Sequence, residues 1–168
     1  MMTKNDLEHL LDVSRRKTND FVEAIAARSD PVAVLGWRPG PGRAHLAWQF
    51  MHIAATDDRH LNVRMRGGQA VSPDLVTRFA GGSTPDDDIP SLDTIRRYLA
   101  DRRRDMLEHL RSLSESDLPT KPSTEAPWTY EEWYTVLALH ESHHHGQAQL
   151  TYNLYRAAVD PGAPKVGH

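Results

Sequence analysis

The chain has 168 residues, ten histidines, no cysteine and a formal net charge of −3, a length that fits one domain with a full core and is short for two. Without cysteine there is no disulfide, thiolate metal site or cysteine nucleophile, so a metal would need nitrogen and oxygen ligands. Mixed acids and bases leave no broad basic footprint for nucleic acid, and no segment approaches the ~20 apolar residues of a membrane span.

The expected address is therefore the cytoplasm, with no nucleic acid and no membrane as partner. The one basic run, Arg102-Arg103-Arg104, reads as a solvated helix face.

Thr3 with Asp6 three residues on resembles a capping box, and Leu7, Leu10, Leu11, Phe21, Val22 and Ile25 follow at helical spacing. The first helix is predicted over about residues 4–28 and stops at Ser29-Asp30-Pro31. Residues 36–42 form a loop by their glycines and prolines, and residues 31–37 are the nearest approach to a strand. A second helix is predicted from Pro41 to Arg43 onward, ending at Gly67-Gly68, since proline suits a first helical position. It carries His45 and His52 on one face, but roughly 10 Å apart along the axis, so one ion takes only one of them.

Residues 67–90 are too long for an ordinary helix connection, with a short helical piece expected from Asp74 to Phe79. Such a link reads as a lid over one end of the domain. Ser91 opens a third helix whose inner face carries Leu92, Ile95, Tyr98, Leu99, Met106, Leu110 and Leu113, with Asp101 to Asp105 mainly outside. After a second linker, Thr129 as N-cap, Glu132 three residues on and the Trp128/Trp133 pair mark the start of a fourth helix running to about Ala157. Residues 161–168 read as a flexible tail. Four amphipathic helices and no convincing sheet predict an all-α fold, a single four-helix bundle over residues 1–160.

The fourth helix carries the chemistry. Tyr130, Trp133, Leu137, His140, His144, Gln147, Thr151 and Leu154 recur every three or four residues, a seam apolar at both ends and imidazole in the middle. His140 and His144 are one turn apart on one face, as a helix offers two nitrogens to one metal. His143 and His145 fall beside the seam or outside it. His140-Glu141-Ser142-His143-His144 matches the H-E-x-x-H of metalloproteases, but no suitable third ligand or substrate-holding sheet accompanies it. A di-iron reading through Glu141 and His144 is poorly supplied, with Asp57-Asp58-Arg59-His60, Glu23 and Glu108 as its sparse partners.

The seam is used best when His140 and His144 are joined by His52. Here His52-Ile53-Ala54-Ala55-Thr56-Asp57-Asp58-Arg59, with Trp48 upstream, resembles the second helix of the DinB/YfiT-like family. Leu139-His140-Glu141-Ser142-His143-His144-His145-Gly146-Gln147 resembles its H-E-x-H-H-R-G-Q fourth helix, with His145 where arginine is common. The resemblance implies a four-helix bundle with non-sequential linkage and a divalent metal on His52, His140 and His144. It also implies a loose range of functions that includes thiol-dependent transferases and isomerases.

Three neutral imidazoles leave a coordination position open, the mark of a catalytic site, at which water or a substrate thiolate is activated. Zinc and nickel lead the candidates, with iron, copper and manganese not separated from them by three nitrogens. Glu141, about 100° around the helix from His140, could orient a ligand, act as general base or face solvent. His45, Trp48 and Gln147 are candidates to line the pocket, which is expected to open at one end of the bundle. The expected function is a metal-dependent transferase, thiol-dependent, or a hydrolase acting on a small molecule, a low-molecular-weight thiol among its partners. The alternative is a non-enzymatic module in which the metal stabilises the bundle or a homodimer.

Overall fold

The computed structural model describes residues 2–159. The helices are α1 (Lys4–Ala26), α2 (Pro31–Gly36), α3 (Leu46–Asp58), α4 (Pro73–Arg78), α5 (Leu92–Ser112) and α6 (Tyr130–Ala158). α3 continues without a break into a π-helical turn, Arg59–Met65. There is no strand among the described residues; the segment 31–37 is the short helix α2, started by Pro31 at its first turn. The tail 161–168 lies outside the described residues.

Caps set the long helices as the sequence suggests. Thr3 and Asp6 close a capping box on α1, and Thr129 and Glu132 close one on α6. Trp128 and Trp133 meet with ring centroids 4.5 Å apart. α3, however, starts at Leu46 and not at Pro41–Arg43, because the His45 side chain is its N-cap: Nδ1 accepts the Trp48 N–H at 3.0 Å.

α1 and α3 each pack on both α5 and α6, so α1 and α3 stand on a diagonal. Directions follow from the pairs across each contact. Met2 meets Glu131 and Arg15 meets Glu141, so α1 and α6 run parallel. Glu23 meets Arg96 and Glu8 meets Arg111, so α5 runs against α1. Gln49 meets His144 and His60 meets Trp133, so α3 runs against α6. α3 and α5 are thus parallel neighbours, and the chain between them must travel back along the bundle.

It does so along α3. Asp58 accepts the N–H groups of Val71 and Ser72, both at 2.9 Å; the Phe79 carbonyl meets His52, Ser83 meets the Trp48 indole, and the Asp86 carbonyl meets His45. The link is therefore a strap along the flank and not a lid on one end. At its far end it presses Ile89 onto Gly36, where an added Cβ would lie 3.0 Å from Ile89 Cγ1.

Two apolar clusters fill the interior, one around Phe21, Phe50, Ile53, Ile95 and Tyr152, the other around Leu11, Leu61, Met106, Trp133 and Tyr134. Between them every long helix contributes buried polar groups: Arg15 and Thr18, Asp57 and Asp58, Arg102 and Arg103, Glu141. Arg102 and Arg103 are 7% and 5% exposed, so the basic run is not a solvated face; only Arg104 is exposed. The reason lies on other helices, which bury the carboxylates that these guanidiniums neutralise.

Candidate metal centre

The imidazoles lie where α3 faces α6, level with the polar layer. His52, His140 and His144 each bring one ring nitrogen into a group whose members all lie within 4.8 Å of one another. Among the described residues this is the one set of three or more metal-ligating side chains so placed. His52 Nδ1–H donates to the Phe79 carbonyl at 2.6 Å, and His144 Nδ1–H donates to Gln49 Oε1 at 2.7 Å. Both rings are thereby fixed with an Nε2 lone pair toward the centre, the arrangement that orients histidine ligands. His52 Nε2 and His140 Nε2 are 3.2 Å apart. Metal–nitrogen bonds of about 2.0–2.1 Å at tetrahedral angles place two ligand nitrogens about 3.3 Å apart, so this pair already stands at ligand spacing, and with His144 within 4.8 Å the set could hold one divalent ion.

The electrostatics suit that role. Burial holds all three imidazoles below their ordinary pKa, His140 at about 4 and His144 at about 3, each pushed further down by its histidine neighbours. The rings are neutral near pH 7, as metal ligation requires. Trp48 stacks on the His52 ring, 4.6 Å between centroids and 9° between planes.

The remaining candidates fall elsewhere. Glu141 is fully buried and hydrogen-bonded to Arg15 Nε at 2.7 Å and to Arg103; Asp57 completes the cluster through Arg15 and Arg103. The two guanidiniums hold the Glu141 carboxyl below the usual range against the desolvation that opposes ionisation. Its lone pairs are thus taken up within the core. His45 caps α3 and gives its Nε2–H to the Asp86 carbonyl at 3.1 Å, two turns before His52. Gln147 sits 2.7 Å from the exposed His143. His145 packs edge-on against Phe21 on the α1 side, centroids 5.7 Å apart. The seam itself drifts: Leu154 is 43% exposed, and Tyr152 and Tyr155 take the buried positions.

A cavity of about 260 Å³ opens beside the histidines. α3 and its π turn line it with His52, Ala55, Thr56, Arg59 and His60, the strap with Val76, Phe79, Ala80 and Gly81, and α6 with His140. It lies at mid-length on the flank of the bundle, under the strap, not at one end. His45, Trp48 and Gln147 are not among its lining residues. His60 is: its Nδ1–H donates to the Thr56 carbonyl at 2.8 Å, leaving Nε2 as an acceptor, and burial lowers its pKa.

In the sequence Gln49 is passed over, and Arg59 and His60 enter only within the second-helix motif and as sparse partners of a di-iron site, not as cavity residues, although signals exist. Gln49 is a lone amide in the apolar run Ala47–Ile53, three residues before His52. His60 stands eight residues after His52, on the same face. The Phe79 carbonyl carries no sequence signal at all.

Fold and site together define a class: a four-helix bundle in which three histidines from two helices could share a metal ion. A sequence profile of the DinB superfamily matches residues 10–148, most of the chain, and the chain belongs to that superfamily. It is similar in structure to a conserved protein from Enterococcus faecalis, at 18% identity and a TM-score of 0.69, covering 92% of this chain and 97% of that one. At that identity the likeness speaks for the fold alone. No curated protein matches the chain. No helix among the described residues is long and apolar enough to cross a membrane.

Proposed function

We propose that this chain is a metal-dependent enzyme, a thiol-dependent transferase or a hydrolase, that activates a thiol or water against a small electrophilic substrate. The observation that supports it most is the convergence of three neutral imidazoles, two with fixed tautomers, beside an open cavity. Zinc or nickel held there by His52, His140 and His144 would supply Lewis acidity at neutral pH. The protein's own groups do the rest. Phe79 and Gln49 hold the ligand rings in place, Ala55, Val76 and Phe79 give the cavity apolar surface, and His60 Nε2 offers a hydrogen-bond acceptor in the same lining.

Elemental analysis of untagged protein tests the ligand set. His52→Ala, His140→Ala and His144→Ala should each lose the metal, while His143→Ala and His145→Ala keep it. Retention in His52→Ala would remove α3 from the site. If neither azide nor a thiol perturbs the visible spectrum of cobalt-substituted protein, the site is closed and the enzyme reading fails. A second reading has its own observation: Leu139 and Leu150 are each 60% exposed and Leu154 43%, on one outer face of α6. That face fits a homodimer, which sedimentation at several concentrations would detect.

A further inference from the structure

The charge of the cavity points to the kind of molecule it takes. None of its lining side chains is a carboxylate. The acids in the layer behind it are already matched: Asp57 and Glu141 face Arg15 and Arg103, and Asp58 faces Arg102. The outer contacts of the imidazoles are neutral as well, a backbone carbonyl for His52 and an amide oxygen for His144. Metal-binding histidines often lean on a carboxylate that offsets part of the ion's charge. Among the described residues no carboxylate does so here, and His140 Nδ1 has no hydrogen-bond partner.

Arg59 adds to the imbalance. It lines the same cavity, seven residues after His52 and on the same helical face, about 10 Å further along the axis at 1.5 Å per residue. Its side chain is exposed and, among the described residues, has no carboxylate partner. Arg78, on the strap, differs in being tied to Asp86 and Asp88. His60, next to Arg59, gives its Nδ1–H to Thr56 and offers only an acceptor, so Arg59 is the charged donor of the lining. Between Arg59 and the histidines Ala55, Val76 and Phe79 give the lining an apolar wall, with Thr56 beside it.

We propose that the cavity takes a small molecule carrying a carboxylate, which the Arg59 guanidinium binds while the short carbon skeleton crosses the apolar wall and the reacting end meets the three-histidine site. The inference rests on the metal-dependent reading above and adds a substrate class to it. A planar guanidinium pairs with a carboxylate through two parallel N–H···O bonds, which fixes direction as well as charge. A neutral molecule would leave the ion and Arg59 facing each other across the cavity without a counter-charge.

The test uses cobalt-substituted protein and two thiols of equal length, 3-mercaptopropionate and 3-mercaptopropanamide, with the sulfur-to-cobalt absorption band reporting the Kd of each. A charge-assisted pair at this position should favour the carboxylate roughly tenfold in native protein. Arg59→Gln should cut that preference to about threefold or less, the remainder being attraction to the ion. Cobalt content and affinity for the amide should not change, and Arg59→Lys should restore part of the preference. Equal binding of the two thiols by native protein overturns the inference. So does a preference that survives in Arg59→Gln, which would mean that the carboxylate folds back onto the cobalt. Both results leave the metal reading standing, whereas failure to bind cobalt, or failure of both thiols and of azide to reach it, overturns both.

Discussion

Glu141→Gln separates a structural carboxylate from a catalytic one. The substitution keeps the shape of the side chain and removes its charge, leaving Arg15 and Arg103, 5% exposed each, with Asp57 alone between them. An uncompensated buried charge of this kind costs roughly 3–5 kcal/mol. For a chain of this size each kcal/mol lowers Tm by roughly 2–4 °C, so the variant should melt roughly 6–20 °C below the parent. Thermal melts followed by circular dichroism, on metal-free and metal-loaded protein, measure the drop; it should be similar in both. Metal content at low temperature should stay at the parental level, since His52, His140 and His144 are untouched. A variant that melts within 2–3 °C of the parent, about 1 kcal/mol at this size, and yet loses metal or thiol binding, would place Glu141 in the site and refute the reasoning.

Gln49→Leu removes the acceptor for His144 Nδ1–H and should weaken metal affinity about 10- to 100-fold, measured by competition with a chromophoric chelator. His45→Ala deletes the α3 cap and should cost about 1 kcal/mol of stability in denaturant melts, with metal content unchanged. In metal-free protein His140 and His144 protonate only near pH 4 and 3, while in the unfolded chain they protonate at about 6.5. The unfolded state therefore binds protons first as pH falls, and the stability contributed above about 6.5 is lost progressively down to about pH 4 for His140 and about pH 3 for His144. A His140→Asn, His144→Asn double variant should flatten that limb of the Tm-against-pH curve; an unchanged limb would mean that the two rings are solvated and titrate normally.

Much of the frame is legible from local chemistry. Thr3/Asp6 and Thr129/Glu132 announce their helix starts because a cap is a contact three residues long, and His140 and His144 share a face because helical geometry is local too. What escapes is decided by another part of the chain. Arg102 and Arg103 look solvated until Asp58 arrives from α3 beside the one and Asp57 and Glu141 from α3 and α6 beside the other. The same encounter takes Glu141 out of the chemistry that its H-E-x-x-H spacing suggests. His45 reads as a pocket residue because its spacing from His52 is helical, yet it stops short of the helix and caps it. Composition between residues 67 and 90 reveals a long link but not its direction, which follows only from α3 and α5 being parallel.

The strap meets the metal centre through a backbone oxygen, the Phe79 carbonyl on His52 Nδ1–H, and its near end is pinned by the Val71 and Ser72 amides on Asp58. Every residue type except proline presents the same amide, and every type presents a carbonyl. At those contacts the centre therefore tolerates changes of side chain along the strap while being intolerant of changes in its length. A deletion or insertion of one residue between Ser72 and Phe79 would put a different peptide unit opposite His52, whereas most substitutions there would leave the ring's anchor in place. Among relatives, spacing from the end of α3 to the carbonyl that holds the histidine is the quantity selection can act on, and divergence of the intervening residues is free to reshape the cavity wall and what it admits.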